Sequence, residues 1–130
     1  MINEMGTESA RYLIASSNGQ APCYLFVNTL VDSFENTFEL LQDCGVDPER
    51  IEGLCGIKLK NCVRIKNSVK LNGHRLRKAQ SEGKFLVADS ASQGVCEFSI
   101  MGKDEPKNIL HVCAGKGNKT IMVSALAKER

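Results

Sequence analysis

The chain contains no apolar run approaching the roughly 18 residues that a membrane-spanning helix needs, so a bilayer-crossing helix is excluded. Its first residues, Met1-Ile2-Asn3-Glu4-Met5, lack the basic-then-apolar order of a secretory signal, and a cytoplasmic setting is expected. No two cysteines stand as Cys-x-x-Cys, and only His74 and His111 add imidazole, so the usual zinc-ligand spacings are missing. The six cysteines (Cys23, Cys44, Cys55, Cys62, Cys96 and Cys113) are therefore expected to be mostly small buried hydrophobes kept reduced. No internal repeat and no low-complexity segment is present. The strongly basic stretch 58–84 holds no aromatic residue, which argues against base stacking there.

What is present is the composition of a globular chain. The 130 residues are 42% hydrophobic and 25% charged, enough for one domain or a small domain with part of a second. Charge is unevenly spread. Residues 1–57 carry two basic and nine acidic side chains, a balance of −7. Residues 58–84 carry nine basic side chains against Glu82 alone, a balance of +8. A basic middle segment of this kind points to a polyanionic partner.

Patterning gives the elements in order. Thr7 is positioned to cap a helix over Ala10, Leu13 and Ile14, closed by Asn18-Gly19. Cys23–Val31 is rich in aromatic and β-branched residues and reads as a buried strand. Asp32 with Glu35 resembles a capping box for a helix whose stripe is Phe34, Phe38 and Leu41, stopped by Gly45. Pro48 marks a turn. Between Ile51 and Ile65 the pattern predicts short strands broken by Gly53 and Gly56, with Arg64 and Lys66 pointing outward. A short helix is expected around His74–Gln80 within a long basic loop, then a strand over Lys84–Ala88. Ser90 with Gln93 forms a second capping box for a helix through Val95, Phe98 and Ile100, ended by Gly102. The charged link 102–107 is a candidate boundary.

The stretch that organises the chain follows. Asn108–Val112 reads as a short apolar strand, Cys113–Gly117 as a glycine turn, and Asn118 or Lys119 as the start of a helix running through Leu126. Such a turn lets the backbone approach a nucleotide or nucleoside cofactor and leaves the first helical N–H groups free to donate. Lys119-Thr120 matches the end of a phosphate loop, but the required glycines fall at Cys113 and Asn118. Gly115-x-Gly117 matches half of a dinucleotide fingerprint, with Thr120 at the third position.

Cys113-Ala114-Gly115-Lys116-Gly117-Asn118-Lys119-Thr120 also resembles the first motif of the RNA cytosine-C5 methyltransferases of the Sun or Fmu type, which usually reads Cys-Ala-Ala-Pro-Gly-Gly-Lys-Thr. Further landmarks fall in the family's order: Leu25-Phe26-Val27-Asn28-Thr29-Leu30, the helix ending Leu41–Val46, and Gly83–Gln93 with its Asp89-Ser90-Ala91-Ser92-Gln93. Gly6–Ala10 and Asn18–Pro22 match the helix and linker before the first strand. The chain departs from the family at Phe26, Ala88, His111, Gly115 and Lys116.

The resemblance implies an α+β chain. A small mixed RNA-facing module over 1–101 would precede the first strand and helix of a Rossmann-like methyltransferase sheet over 107–130. It implies an S-adenosylmethionine site formed by Cys113, Ala114, Gly115, Lys116, Gly117, Asn118 and Lys119, with the cofactor carboxylate at the helix N-terminus. The basic residues Lys58, Lys60, Arg64, Lys66, Lys70, Arg75, Arg77 and Lys78 would contact the phosphates of ribosomal or transfer RNA. The family's two catalytic cysteines follow Asp-x-Pro and Thr. None of the six cysteines here does, so no catalytic residue is expected in these 130 residues. A lone parallel strand with its helix cannot remain an open edge, so residues 107–130 are expected to pack on the front module or on another copy. Two other classes compete: a stand-alone, non-catalytic RNA-binding module, and a nucleotide-binding switch.

Overall fold

The computed structural model describes residues 6–19, 21–66, 71–102 and 108–129. Its elements are α1 (Thr7–Ser17), β1 (Cys23–Val27), α2 (Phe34–Asp43), β2 (Pro48–Leu54), β3 (Ile57–Ile65), α3 (His74–Ser81), β4 (Phe85–Val87), α4 (Ser90–Ile100) and α5 (Asn118–Lys128). The four strands form one antiparallel sheet in the order β2-β3-β1-β4, so the fold is α+β. β2 and β3 are a hairpin whose two-residue loop, Cys55-Gly56, has φ of 50° and 81° at its two positions. Positive φ at both central residues lets the strands keep their right-handed twist through so short a loop.

Alternation along the central strand separates two cores. Leu25 and Val27 pack with Val63, Ile65 and Phe85 against Phe34 and Leu41 of α2 and Leu76 and Ala79 of α3. Phe26 points to the other face, where it packs with Ala88, Cys96 and Ile100 of the α4 region and Met122, Ala125 and Leu126 of α5. The sheet is thus the middle of three layers, α2 and α3 on one side, α4 and α5 on the other. Full burial of a side chain such as Phe26 contributes about 2–3 kcal/mol.

Several local expectations shift by a residue. Thr7 is the first helical residue of α1 rather than its cap, which is Gly6. α2 is capped by Ser33, whose hydroxyl accepts from Asn36 N at 3.1 Å, while Asp32 Oδ1 accepts from Asn36 Nδ2 at 2.9 Å. Pro48 opens β2 instead of a turn, an edge-strand position where its missing N–H costs nothing. α4 is capped by Asp89, whose carboxylate accepts from Ala91 N at 3.0 Å. Gln93 does not close a capping box; it is buried and used elsewhere.

Two expectations fail outright. Asn108–Val112 is not a strand; it runs without regular structure, and among the described residues no neighbouring strand accepts its ladder. Val95 and Phe98 are exposed at 60% and 62% because α4 turns Gln93, Cys96, Glu97 and Ile100 inward instead. α5 begins at Asn118 as expected and packs on the front module. The boundary suggested at 102–107 falls almost wholly outside the described residues, as does Lys70. Among the described residues no helix is long and apolar enough to cross a membrane.

Candidate functional site

α5 is pinned at its far end. The carboxylate of Glu129, just past the last turn, accepts from Asn61 Nδ2 at 2.9 Å and from the Thr29 hydroxyl, and lies 3.9 Å from the Lys60 ammonium. A second carboxylate, the buried Glu97 of α4, accepts from the Lys60 backbone N at 3.1 Å. Together they tie α4 and α5 to the β3 backbone and to the end of β1. Sequence reasoning missed both; the available signal was an acidic residue within an otherwise apolar helix pattern.

The near end of α5 is left open. Gly117 sits at the N-cap with φ of 81°, and no side chain caps the first-turn N–H groups. Gly115 has φ of 58° and Cys113 φ of 59°, so the chain makes three left-handed steps within five residues before it enters the helix. Glycine takes such a step without penalty, whereas at Cys113 the Cβ makes it a strained one. Gly117 N donates to Ala114 O at 3.0 Å and closes the turn. His111 Nδ1 is hydrogen-bonded to the Thr120 hydroxyl, so the entry to the turn is fastened to the first turn of α5. His111 therefore has a structural partner that the sequence did not reveal.

All seven residues of the expected cofactor site come together here, because they are consecutive. Cys113, Ala114, Gly115, Lys116, Asn118 and Lys119 are exposed, and Gly117 is half-buried. The Lys119 carbonyl lies 4.0 Å from the Cys96 Sγ, which binds the turn to α4. Burial pushes the Cys96 thiol up, and the Lys119 ammonium opposes that shift. Burial likewise raises Cys62, to about 11, with the Asp89 carboxylate adding to the effect. Cys62 and Cys96 are buried, Cys23 and Cys44 are half-buried, and only Cys55 and Cys113 are exposed. Among the described residues no group of His, Cys, Asp or Glu is disposed to hold a metal.

An uncapped helix N-terminus beside Lys119, with glycines that admit close approach, suits a carboxylate.

The basic residues do not form one patch. By alternation Arg64 and Lys66 share the sheet face that carries α4 and α5, with Arg64 opposite Tyr24 and Glu49 across the ladder, whereas the register shift opposite Ile51–Gly53 breaks the alternation before Lys60 and Lys58. Arg75, Arg77 and Lys78 lie on α3, on the other face. Four of them have carboxylate partners: Lys60 with Glu129, Lys66 with Glu49 at 3.2 Å, Arg75 with Asp43 at 3.7 Å and Lys78 with Glu82 at 3.8 Å. Among the described residues Lys58, Arg64 and Arg77 have none.

Asn28 and Gln93, two of the polar residues singled out in the sequence, act as latches. Asn28 Nδ2 donates to Gly83 O at 2.9 Å and its backbone N to Lys84 O at 2.8 Å, joining the end of β1 to the start of β4. Gln93 Nε2 donates to Leu25 O at 3.2 Å and Ala88 O at 2.9 Å.

A solved structure shares this fold. Its title is "Crystal Structure of PH0851"; it superposes with a TM-score of 0.69 at 22% identity, covering 99% of this chain and 27% of the other. The chain thus spans about a quarter of the length of the protein it resembles. No protein-family model and no curated protein matches the sequence. At this identity the likeness establishes the fold alone, and the seven-residue turn and the latches are the functional clues.

Proposed function

We propose that this chain is the RNA-facing front part of an S-adenosylmethionine-dependent RNA cytosine-C5 methyltransferase, acting in the cytoplasm. The observation that carries the reading is the Cys113–Lys119 turn, whose left-handed glycines lead into an uncapped helix anchored on the sheet. S-Adenosylmethionine supplies the methyl group in such enzymes. In this chain the N–H groups of Gly115, Asn118 and Lys119 and the Lys119 ammonium would hold and neutralise the cofactor carboxylate, while the Gly117 N–H closes the turn on Ala114. Methyl transfer itself is assigned to no residue here, because no cysteine follows Asp-x-Pro or Thr.

RNA would lie along β3 rather than α3. Arg64 and Lys66 stand on the sheet face that also bears α5, and the Lys60 ammonium reaches Glu129 at the end of that helix, whereas Arg75, Arg77 and Lys78 lie on α3 across the sheet. Contacts there are to phosphates, which position the strand without reading its sequence.

Calorimetric titration of the protein tests the cofactor assignment. S-Adenosylmethionine is expected to bind with a dissociation constant near or below about 1 mM, while ATP does not. Binding of ATP in preference would favour a nucleotide switch, and binding of neither would remove the cofactor assignment and leave an RNA-binding module.

A further inference from the structure

The basic stretch 58–84 has no aromatic side chain of its own, but the fold brings one to it from another strand. Tyr24 of β1 stands directly opposite Arg64 of β3, and Arg64 stands opposite Glu49 of β2, so the three form one row across the sheet. By alternation this row faces the same way as the Phe26–Cys62 pair, two residues further along the strands. α4 and α5 pack over Phe26 and leave it fully buried. The Tyr24 row stays outside that core, with Tyr24 and Glu49 half-buried and Arg64 exposed. It lies at the opposite end of β1 from Thr29, where Glu129 anchors α5. Glu49 is engaged by the Lys66 ammonium at 3.2 Å. Among the described residues Arg64 has no carboxylate partner, and Tyr24 has neither a ring nor a cation stacked on it and no hydrogen bond to its hydroxyl.

We propose that Tyr24 stacks an unpaired base of single-stranded RNA while Arg64 binds the adjoining phosphate. Directly opposed residues on neighbouring strands hold their Cβ atoms about 5 Å apart, so the ring and the guanidinium are presented side by side to one nucleotide. An aromatic face accepts any base, and beside a phosphate-binding cation it is the arrangement by which sheets hold single strands. A duplex keeps its bases stacked on one another and offers the ring no free face, so the row selects unpaired RNA. The inference rests on the reading of the chain as RNA-facing and refines it. Phosphate contacts alone position a strand, whereas Tyr24 requires that the base beside it be unpaired.

Fluorescence titration with a single-stranded RNA of about 12 nucleotides, and with the blunt duplex of the same sequence, is the test. The chain has two tyrosines and no tryptophan, so Tyr12→Phe, at an exposed position of α1, leaves Tyr24 as the sole emitter. Its emission should be quenched by the single strand and not by the duplex. The single strand should bind at least roughly tenfold more tightly than the duplex. Tyr24→Ile keeps the strand preference and removes the ring. It should weaken single-strand binding by about 5- to 100-fold while duplex binding and the salt slope stay as in the parent. Tyr24→Phe should retain the parent affinity. Circular dichroism checks the fold of both variants, and the Tyr24 quenching decides without either of them. Single-strand binding without quenching, equal affinity for strand and duplex, or affinity undiminished in a folded Tyr24→Ile protein would each overturn the stacking and leave the RNA-facing reading standing. Binding of neither RNA would overturn both.

Discussion

Gln93 and Leu25 are joined by a buried hydrogen bond across 68 positions of sequence, with Gln93 Nε2 donating to the Leu25 carbonyl at 3.2 Å. The same amide donates to Ala88 O at 2.9 Å, so one side chain fixes α4 to the central strand and to the end of β4. Gln93→Leu keeps the volume and removes both donors, so each carbonyl loses one buried hydrogen bond. It should cost about 1–3 kcal/mol, read as a lower urea midpoint at unchanged slope. An unaltered midpoint would show that the latch contributes nothing.

Asp32 and Lys84 form the tightest ion pair among the described residues, at 2.8 Å. The Lys84 hydrogen bond, seconded by Asn36, holds the Asp32 carboxyl below its usual range, and Asp32 holds the Lys84 ammonium above its own. Asp32, depressed by folding, stabilises the fold above its unfolded pKa, and that contribution is lost as pH falls through the folded one. Lys84, raised by folding, stabilises below its unfolded pKa and loses this as pH rises through the folded one. The pair is therefore fully effective between about pH 4 and pH 10. Because both side chains retain some exposure, Asp32→Asn should cost only about 1 kcal/mol at neutral pH. The deficit should shrink in acid, which urea midpoints measured across pH will show.

Thr37 is fully buried on α2, and its hydroxyl has no partner among the described residues. Thr37→Val replaces it with a methyl of the same shape and should raise stability by roughly 0.5–1.5 kcal/mol. A lower thermal midpoint would mean that the hydroxyl is satisfied in solution.

Charge reversal separates the two basic groups. Arg64→Glu on β3 should weaken RNA binding and lower its salt dependence by about one unit of slope or more. Arg77→Glu on α3 should change little. Filter binding at several salt concentrations decides it, and equal effects would mean that RNA reaches both faces.

Most of the architecture was legible in the sequence, for identifiable reasons. Phe34, Phe38 and Leu41 mark α2, aromatic and β-branched residues mark β1, and Gly117 marks the start of α5. Helix caps were misplaced by one residue wherever two candidate side chains were adjacent, as at Asp32-Ser33 and Asp89-Ser90. α4 defeated pattern reading because its inward face includes Gln93 and Glu97, whose partners lie far away in sequence, while Val95 and Phe98 turn outward. The segment 108–112 was misread because a strand needs a neighbour and apolar content does not supply one. The glycine turn itself was readable, since positive φ is local; the His111–Thr120 bond and the Glu129 anchor were not, since both depend on how α5 docks.

The central claim is that the Cys113–Lys119 turn receives the carboxylate end of S-adenosylmethionine, and an amide map tests it most directly. In nitrogen-15 spectra the cofactor should shift the N–H signals of Gly115, Gly117, Asn118 and Lys119, while Gly45 and Gly83, at turns elsewhere, stay fixed. Gly117→Ala, strained at φ of 81°, should abolish those shifts while costing only about 1–2 kcal/mol of stability. Shifts confined to other parts of the molecule, or none at roughly millimolar cofactor, would contradict the account.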